Sequence, residues 1–246
     1  MKLVTPTNLV IITATQSTRE KFEENSPLYA SSVRLGISLL VKYENTQGIS
    51  TVYNEMIAKL IQDAENQFAN IEYIIFAHDD VRICDAFIFE KLTWCFIEKR
   101  FDLVGLAGAT TVNLSDKGRV AWHSIGDKSK LSGAVSHPSI EGGTVDAAQW
   151  YVNCWGLAPA RVITLDGLFL ATRKSLLKQN PELRFDPTFT FDFYDMDFCM
   201  SFYLKGLTAG TTNVFAEHYS HGAGINSERY AMLQQKFLAK WRPKFK

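Results

Sequence analysis

The chain contains the stretch Tyr73-Ile74-Ile75-Phe76-Ala77-His78-Asp79-Asp80-Val81, in which an apolar run stops abruptly at two adjacent carboxylates. A short apolar run of this kind is typical of a buried β-strand. The two carboxylates are therefore expected at the carboxyl end of a strand, where open α/β sheets bind their ligands. Paired carboxylates at such a position suit Mg²⁺ or Mn²⁺, which proteins often bind together with substrate phosphates. The alternative is a plain turn, with Asp85 capping the helix that follows.

Length and composition are those of a globular protein of enzyme size. The 246 residues are 46% hydrophobic and 13% aromatic, which is enough to build a sizeable core. The formal net charge is zero, so the chain has no general electrostatic attraction to nucleic acid. We therefore expect no nucleic-acid partner.

Cysteine usage and the N-terminal sequence bear on the cellular compartment. None of the four cysteines lies in a Cys-x-x-Cys pair, which argues against structural zinc and favours a reducing compartment. The first eight residues do not resemble a signal peptide, and no apolar run approaches the roughly 20 residues that cross a bilayer. We expect a cytoplasmic protein. The basic C-terminal tail, 240–246, could contact the inner face of the membrane peripherally, and a solvated C-terminus is the alternative.

Strand and helix signals alternate in the first half of the chain, which predicts a largely parallel sheet covered by helices. From 109 to 159, glycine, serine, histidine and tryptophan replace this periodicity and predict a long irregular segment. The predicted strands are 8–14, 73–77, 102–108, 162–171 and 210–216. The predicted helices are 29–43, 50–68, 85–100, 173–178, a helix that starts within 191–197 and ends near 205, and 227–241.

Three clusters of acidic or histidine residues fall at the ends of these elements: His78-Asp79-Asp80, Asp195-Met196-Asp197, and His218 with His221. Their order resembles that of the GT-A-fold glycosyltransferases, above all the large family 2 and its bacterial relatives. In that family an Asn-x-x-Gly stretch and a helical Asn precede a strand that ends in Asp-x-Asp. An acidic pair later opens a helix, and a histidine closes the last strand of the sheet. The matching residues, over roughly 8–224, are Asn45-Thr46-Gln47-Gly48, Tyr53-Asn54, the stretch 73–81, Asp166-Gly167, Tyr194-Asp195-Met196-Asp197 with Gly206, and His218.

The resemblance implies an α/β fold of GT-A (Rossmann-like) type, a mixed sheet with helices on both faces in a single domain, 1–246. Residues of about 8–108 would form the half that binds the nucleotide sugar, and about 109–224 the acceptor and catalytic half. The C-terminal helix and basic tail would occupy 225–246. The implied activity is transfer of a sugar from a nucleotide-diphosphate donor, expected to be UDP-linked, to a saccharide or lipid-linked acceptor in polysaccharide biosynthesis.

The resemblance also implies roles for individual residues. Asp80 and His218 would hold a divalent metal, Mn²⁺ or Mg²⁺, that bridges the donor phosphates. Asp195 would be the general base that deprotonates the acceptor hydroxyl, which gives inversion at the anomeric carbon. The residues expected to contact the donor are Thr13, Thr15, Asn54, His78, Asp79 and Asp166, of which Asp166 could instead contact the acceptor sugar or form a turn.

Two residues depart from the family pattern, and several alternatives stay open. His78 stands where the first aspartate of the motif is expected, and Tyr194 replaces the glutamate before the base. Asp197 is therefore an alternative base, His221 an alternative metal ligand, and retention an alternative stereochemistry. The rival functions are an inert carbohydrate- or nucleotide-sugar-binding protein and a sugar nucleotidyltransferase, although 13–19 lacks the glycines that grip a triphosphate.

The middle segment also contains tryptophan and histidine residues for which the sequence leaves more than one interpretation open. Trp122, Trp150 and Trp155 could stack on sugar rings, since pyranose faces are apolar, or could belong to the core. His123 and His137 were expected on the surface or in loops rather than as ligands.

Overall fold

Two mixed β-sheets meet along the chain segment that follows Leu103. The computed structural model describes residues 1–63, 67–115, 118–141, 144–220 and 227–245. Within these ranges the strands are β1 (Leu9–Ala14), β2 (Ser38–Lys42), β3 (Tyr73–Ala77), β4 (Val81–Ile83), β5 (Leu103–Gly105), β6 (Ala107–Ala109), β7 (Leu131–Glu141), β8 (Thr144–Gly156), β9 (Arg161–Val162), β10 (Thr164–Leu165), β11 (Phe169–Arg173), β12 (Ala209–Thr211) and β13 (Ala216–His218). The α-helices in the same ranges are α1 (Arg19–Asn25), α2 (Pro27–Leu35), α3 (Ile49–Gln62), α4 (Ile88–Ile97), α5 (Lys174–Gln179), α6 (Tyr194–Leu204) and α7 (Glu228–Trp241).

The first sheet has the order β2-β1-β3-β11-β5-β12-β9. β1 pairs in parallel with β2 and β3, while β11 runs antiparallel between β3 and β5. All five residues of β3 are buried, which is typical of a central strand covered on both faces. The predicted strand 73–77 is therefore confirmed, and Asp79 and Asp80 follow its carboxyl end.

The second sheet has the order β10-β6-β7-β13-β4, with β8 paired to β7. β13 and β4 are antiparallel, and their register places His218 opposite Val81. The backbone N–H of Tyr219 also donates to the carbonyl of Asp80 over 2.9 Å. This pairing brings the last strand of the sheet next to the two carboxylates that follow β3.

The predicted strand 102–108 is divided between the two sheets, with β5 in the first and β6 in the second. Gly108 permits the close approach of β10 to β6, because a Cβ at this position would overlap the carbonyl of Thr164 on β10. The predicted strand 162–171 is likewise split into β9, β10 and β11. The interruption leaves Asp166 and Gly167 in a turn rather than in a regular ladder. The predicted strand 210–216 is also wrong in extent, since it forms β12 and the start of β13.

Two predictions for longer segments are wrong. The predicted helix 29–43 ends at Leu35, because Gly36 adopts a left-handed conformation with φ of 68° and caps it. Val33 falls within the predicted helix but is 63% exposed, and the chain continues as β2. The irregular segment 109–159 contains the long hairpin of β7 and β8, which rises beside the carboxyl end of β3.

The C-terminal helix follows the prediction for 227–241. Ser227 caps α7, and its hydroxyl accepts a hydrogen bond from the N–H of Tyr230 over 3.1 Å. The apolar face, which includes Leu233, Phe237 and Trp241, is buried and joins the common core of both sheets. No helix of the described residues is long and apolar enough to cross a membrane.

Candidate active site

A cavity of about 640 Å³ opens between the carboxyl end of β3, the start of α6 and the β7–β8 hairpin. Its lining combines histidines, carboxylates and aromatic rings. Among the sequence-predicted residues it includes His78, Asp80, Asp166, Asp195 and His218. The fold therefore gathers residues that lie as much as 140 positions apart in the chain around one space.

His78, Asp80 and His218 form a cluster that could hold a metal ion. One ligand atom from each of the three lies within 4.8 Å of the others. His218 Nε2 lies 3.3 Å from Asp80 Oδ1, a contact that follows from the β4–β13 register. Asp80 and His218 were predicted as ligands by resemblance. His78 was predicted as a donor contact, and the structure adds it to the same cluster.

The donor atoms of this cluster fit a divalent transition metal. Within the described ranges, no donor makes a well-aligned hydrogen bond to the buried Oδ1 of Asp80, so a lone pair is left for another partner. Burial alone would raise the pKa of Asp80, but the close contact with His218, whose Nε2 lies 3.3 Å from Oδ1, outweighs it and holds the pKa below the ordinary aspartate value. The two imidazoles suit divalent transition metals such as Zn²⁺, Fe²⁺ and Ni²⁺, while the carboxylate suits Mn²⁺ and Mg²⁺.

Asp195, in the first turn of α6, points into the cavity with both carboxylate oxygens held by backbone. Oδ2 accepts a hydrogen bond from the N–H of Gly167 over 2.9 Å, and Oδ1 accepts one from Met196 over 2.7 Å. Burial, followed by the charge of Asp166, raises the pKa of Asp195 to about 7. A carboxylate with that pKa can exchange a proton near neutral pH, which is what general base catalysis requires.

Asp197 lies on the opposite face of α6 and has a structural environment. Its carboxylate contacts Lys240 Nζ over 2.7 Å and accepts a hydrogen bond from Trp241 Nε1 over 2.8 Å. Among the described residues of α6, Asp195 lines the cavity and Asp197 does not. Of the two carboxylates that the sequence left open, the geometry favours Asp195 as the base.

The two departures from the family pattern contact each other. His78 Nε2 lies 2.8 Å from the hydroxyl of Tyr194. The same hydroxyl donates to the carbonyl of Gly167 over 2.7 Å. A Cβ on Gly167 would overlap the hydroxyl of Tyr194 and the Cβ of Asp195, so the close approach requires glycine at this position.

Asp166 faces the cavity from the turn between β10 and β11. Its Oδ2 accepts a hydrogen bond from Trp122 Nε1 over 3.1 Å, and its Oδ1 accepts one from the N–H of Leu168. Trp122 in turn packs edge-to-face against Trp155, with ring centroids 4.9 Å apart. Both tryptophans line the cavity, whereas Trp150 packs on Tyr219 outside it.

Two histidines that were expected on the surface or in loops, His123 and His137, also line the cavity. The ring of His137 lies 5.5 Å from that of His218, because β7 pairs directly with β13. This neighbour could not be predicted, because the sequence of 109–159 does not predict the hairpin. The signal for a strand there is the alternation of Leu131 and Val135 with Ser132 and Ser136, which places His137 on the face of Val135.

The predicted nucleoside contacts lie on the other side of the Asp79–Asp80 pair, near the carboxyl end of β1. The Thr15 hydroxyl hydrogen-bonds the Asp79 carboxylate, whose pKa burial nevertheless raises above its ordinary value. Thr13 is buried, and among the described residues its Oγ1 has no hydrogen-bond partner. Asp79 therefore faces the β1 end of the sheet while Asp80 faces the cavity.

Asn54 has a different environment from the one predicted. Its side-chain amide donates to the carbonyl of Phe185 over 2.7 Å and accepts from the N–H of the same residue over 3.0 Å. These two bonds tie α3 to the loop before α6. A contact between Asn54 and the donor stays a prediction.

The other open residues lie in the C-terminal region. His221 falls outside the described residues, as does Lys246. Lys240 forms ion pairs with Asp186 and Asp197, and Arg242 Nε donates to the carbonyl of Leu114. Much of the basic tail is therefore engaged within the molecule, and contact with a membrane stays a prediction.

The fold and site define a GT-A-like protein, a mixed α/β domain built on two mixed sheets. The chain belongs to the Glycosyltransferase like family, whose family model matches residues 24–241. This confirms the resemblance and the predicted fold class, and it supports transferase activity. No curated protein sequence gives a significant match.

Solved structures provide two further comparisons. The chain is similar to A197 from STIV, with a TM-score of 0.51 and 11% sequence identity over 87% of this chain and 86% of that one. It also matches the mannosyltransferase PcManGT from Pyrobaculum calidifontis, solved in complex with GDP-Man and Mn²⁺. That match has a TM-score of 0.45 and 13% identity over 87% of this chain and 58% of the other. At 11% identity the likeness to A197 concerns the fold alone.

Proposed function

We propose that this protein transfers a sugar from a nucleotide-diphosphate donor to a saccharide or lipid-linked acceptor, with metal assistance and with inversion. The observation that carries the proposal is the set of residues that line one cavity. It holds the candidate metal ligands His78, Asp80 and His218 together with Asp195, whose pKa is raised to about 7. A diphosphate leaving group needs a metal ion, and an acceptor alcohol needs a general base.

The donor side of the site uses the three cluster residues and the β1 end of the sheet. His78, Asp80 and His218 would hold the metal, Mn²⁺ or Mg²⁺, with the Asp80 carboxylate as the kind of donor that both ions accept. A bound divalent ion neutralises the charge that develops on a departing diphosphate. The nucleoside, which we expect to be uridine, would contact Thr13, Thr15 and Asn54. Asp79 would contact its ribose.

On the acceptor side, Asp195 would accept the proton of the attacking hydroxyl. The acceptor oxygen forms a bond to the anomeric carbon, the bond from that carbon to the diphosphate breaks, and the proton passes to Asp195. A direct displacement from the face opposite the leaving group inverts the anomeric centre. The backbone N–H groups of Gly167 and Met196 hold the carboxylate in place, which limits the reorganisation needed during the step.

The rest of the lining supports a saccharide as the acceptor. Trp122, Trp155, Tyr151 and Phe191 contribute aromatic surface to the cavity, and Asp166 contributes a carboxylate. Apolar sugar faces pack on such rings, while sugar hydroxyls donate to carboxylates. This combination is expected for a sugar ring and not for a flat, wholly apolar acceptor.

Thermal stabilisation by nucleoside diphosphates and nucleotide sugars tests the proposal. The panel covers uridine, guanosine, cytidine and thymidine nucleotides, each with Mn²⁺ or with a chelator. We expect one nucleotide family to raise the melting temperature in the presence of Mn²⁺ and not with the chelator. Donor turnover, measured as nucleoside diphosphate released, should follow the same nucleotide.

The matched variants for this experiment are Asp80→Asn and Glu217→Gln. Each removes one carboxylate charge, but Glu217 pairs with Arg82 outside the cavity. We expect Asp80→Asn to abolish the Mn²⁺-dependent shift and Glu217→Gln to keep it. Stabilisation by a nucleotide sugar without any transfer or hydrolysis would instead favour an inert binding protein. No stabilisation by any member of the panel would contradict the proposal.

A further inference from the structure

Tyr194 and His78 together occupy the positions at which this chain departs from its family pattern, and their hydrogen bonds suggest a joint role. Tyr194 is buried at the start of α6. Its hydroxyl lies between His78 Nε2, at 2.8 Å, and the carbonyl oxygen of Gly167, at 2.7 Å. Neither contact involves the acid–base function proposed for Asp195.

The direction of these two hydrogen bonds follows from counting protons. A phenol hydroxyl has one proton, and a carbonyl oxygen can only accept. The proton of Tyr194 therefore points to Gly167, and the phenol oxygen accepts a hydrogen bond from His78. His78 must then carry its proton on Nε2, which leaves the lone pair on Nδ1.

We propose that Tyr194 is a positioning residue that fixes His78 in the Nε2–H tautomer, so that His78 offers Nδ1 to the metal. The inference rests on the proposed function, since it assigns an atom within the proposed metal site. Metal-binding histidines commonly have their second nitrogen held in this way by a hydrogen-bond partner, which sets both tautomer and ring orientation. The aspartate that the family pattern expects at position 78 has no tautomer to fix and would need no such partner. His78 and Tyr194 therefore act as one unit.

The other side of Gly167 extends this unit to the candidate base. The carbonyl of Gly167 accepts from Tyr194, while its N–H donates to Asp195 Oδ2 over 2.9 Å. One turn therefore fixes the metal-side histidine through Tyr194 and the carboxylate directly. Displacement of the Tyr194 hydroxyl is expected to disturb His78 first, because the N–H of Gly167 can keep its bond to Asp195.

The test uses ¹⁵N-labelled histidine in the metal-free protein and in the variant Tyr194→Phe. Imidazole ¹⁵N shifts and their couplings to the ring carbon protons distinguish the Nε2–H from the Nδ1–H tautomer. We expect His78 to be the Nε2–H tautomer in the natural chain and a mixture of tautomers in Tyr194→Phe. Mn²⁺ affinity, measured from the free-ion EPR signal, should fall about 10- to 100-fold in the variant.

Tyr53→Phe is the matched control. Tyr53 is buried in the same aromatic cluster, 6.1 Å from the ring of Tyr194, and its hydroxyl donates to the carbonyl of Ala77 over 3.2 Å. The control removes a buried hydroxyl beside His78 without touching the imidazole. It should therefore leave both the tautomer and the Mn²⁺ affinity unchanged.

Several outcomes would overturn the inference. One is an Nδ1–H tautomer in the natural chain, which can be read even if Tyr194→Phe fails to fold. Another is a variant with unchanged tautomer and unchanged Mn²⁺ affinity. If the natural chain binds no Mn²⁺, the proposed metal role and the Nδ1 ligand assignment both fail. The tautomer of the metal-free protein still decides whether Tyr194 orients His78.

Discussion

The two faces of α6 give equivalent carboxylates opposite tasks. On the cavity face, Asp195 is held by backbone N–H groups, and the neighbouring charge of Asp166 helps to raise its pKa. On the face toward α7, Asp197 is neutralised by Lys240 and hydrogen-bonded by Trp241. The same residue type, two positions apart in one helical turn, is a candidate base in one case and is paired with a lysine in the core in the other.

The difference follows from helix geometry and from the charges that each face meets. Successive residues of an α-helix are rotated by about 100°, so Asp195 and Asp197 point in nearly opposite directions. Burial raises the pKa of both carboxyls. At Asp195 the charge of Asp166 adds to this effect, whereas at Asp197 the ammonium of Lys240 opposes it. A charged neighbour thus separates a candidate base from a structural anchor.

The largest expected effect is on catalysis, in the variant Asp195→Asn. Loss of a general base typically lowers the rate about 10²- to 10⁴-fold. The side chain keeps its size and one oxygen for the backbone donors, so we expect the fold and the Mn²⁺-dependent nucleotide shift to persist. Transfer rates and melting temperatures measured on the same preparations check this. A rate loss below tenfold would remove Asp195 from the mechanism.

The converse variant, Lys240→Met, should affect stability rather than chemistry. The Asp197 side chain is 1% exposed, and removal of its cation leaves a buried charge that, among the described residues, keeps the hydrogen bond from Trp241 Nε1. Because Lys240 itself is 29% exposed, we expect unfolding to cost about 2–3 kcal/mol less, somewhat below the range for fully buried pairs. Denaturant unfolding measures this change, and the transfer rate per folded molecule should stay the same.

Lys236→Met provides the control for that experiment, since Lys236 lies on the exposed side of the same helix. It makes the identical substitution away from Asp197 and should change the unfolding midpoint little. Equal destabilisation by both variants would contradict the view that the ion pair of Lys240 with Asp197 stabilises the fold.

The sequence predicts the parts of the fold that have strong local signals. The apolar run 73–77 ending in two aspartates is a buried strand, and Ser227 starts the last helix as a capping residue should. The sequence also predicts that Asp195 and Asp197 cannot both face the cavity, since two residues two positions apart in a helix point in nearly opposite directions. It does not say which of the two, because that depends on α7, which lies more than 25 residues further along the chain.

The rest depends on pairings that no local pattern encodes. Leu40 and Val41 continue the helical spacing of Val33 and Ile37, yet they lie in β2, which extends the sheet beside β1. The β7–β8 hairpin places His137 next to His218 through its pairing with β13. Strand formation of this kind reflects distant partners more than intrinsic preference, and so the cavity wall was not predicted.

The pH dependence of transfer tests the central claim most directly. Asp195 must be ionised to accept a proton, and its pKa is raised to about 7 by burial and by Asp166. Below that pH the protonated fraction grows, so kcat/KM measured with Mn²⁺ and the donor selected by the panel should fall about tenfold per pH unit, and should level off above it. The residual activity of Asp195→Asn should lack this acidic limb. A flat profile from about pH 5 to 8, or the same limb in the variant, would contradict the account.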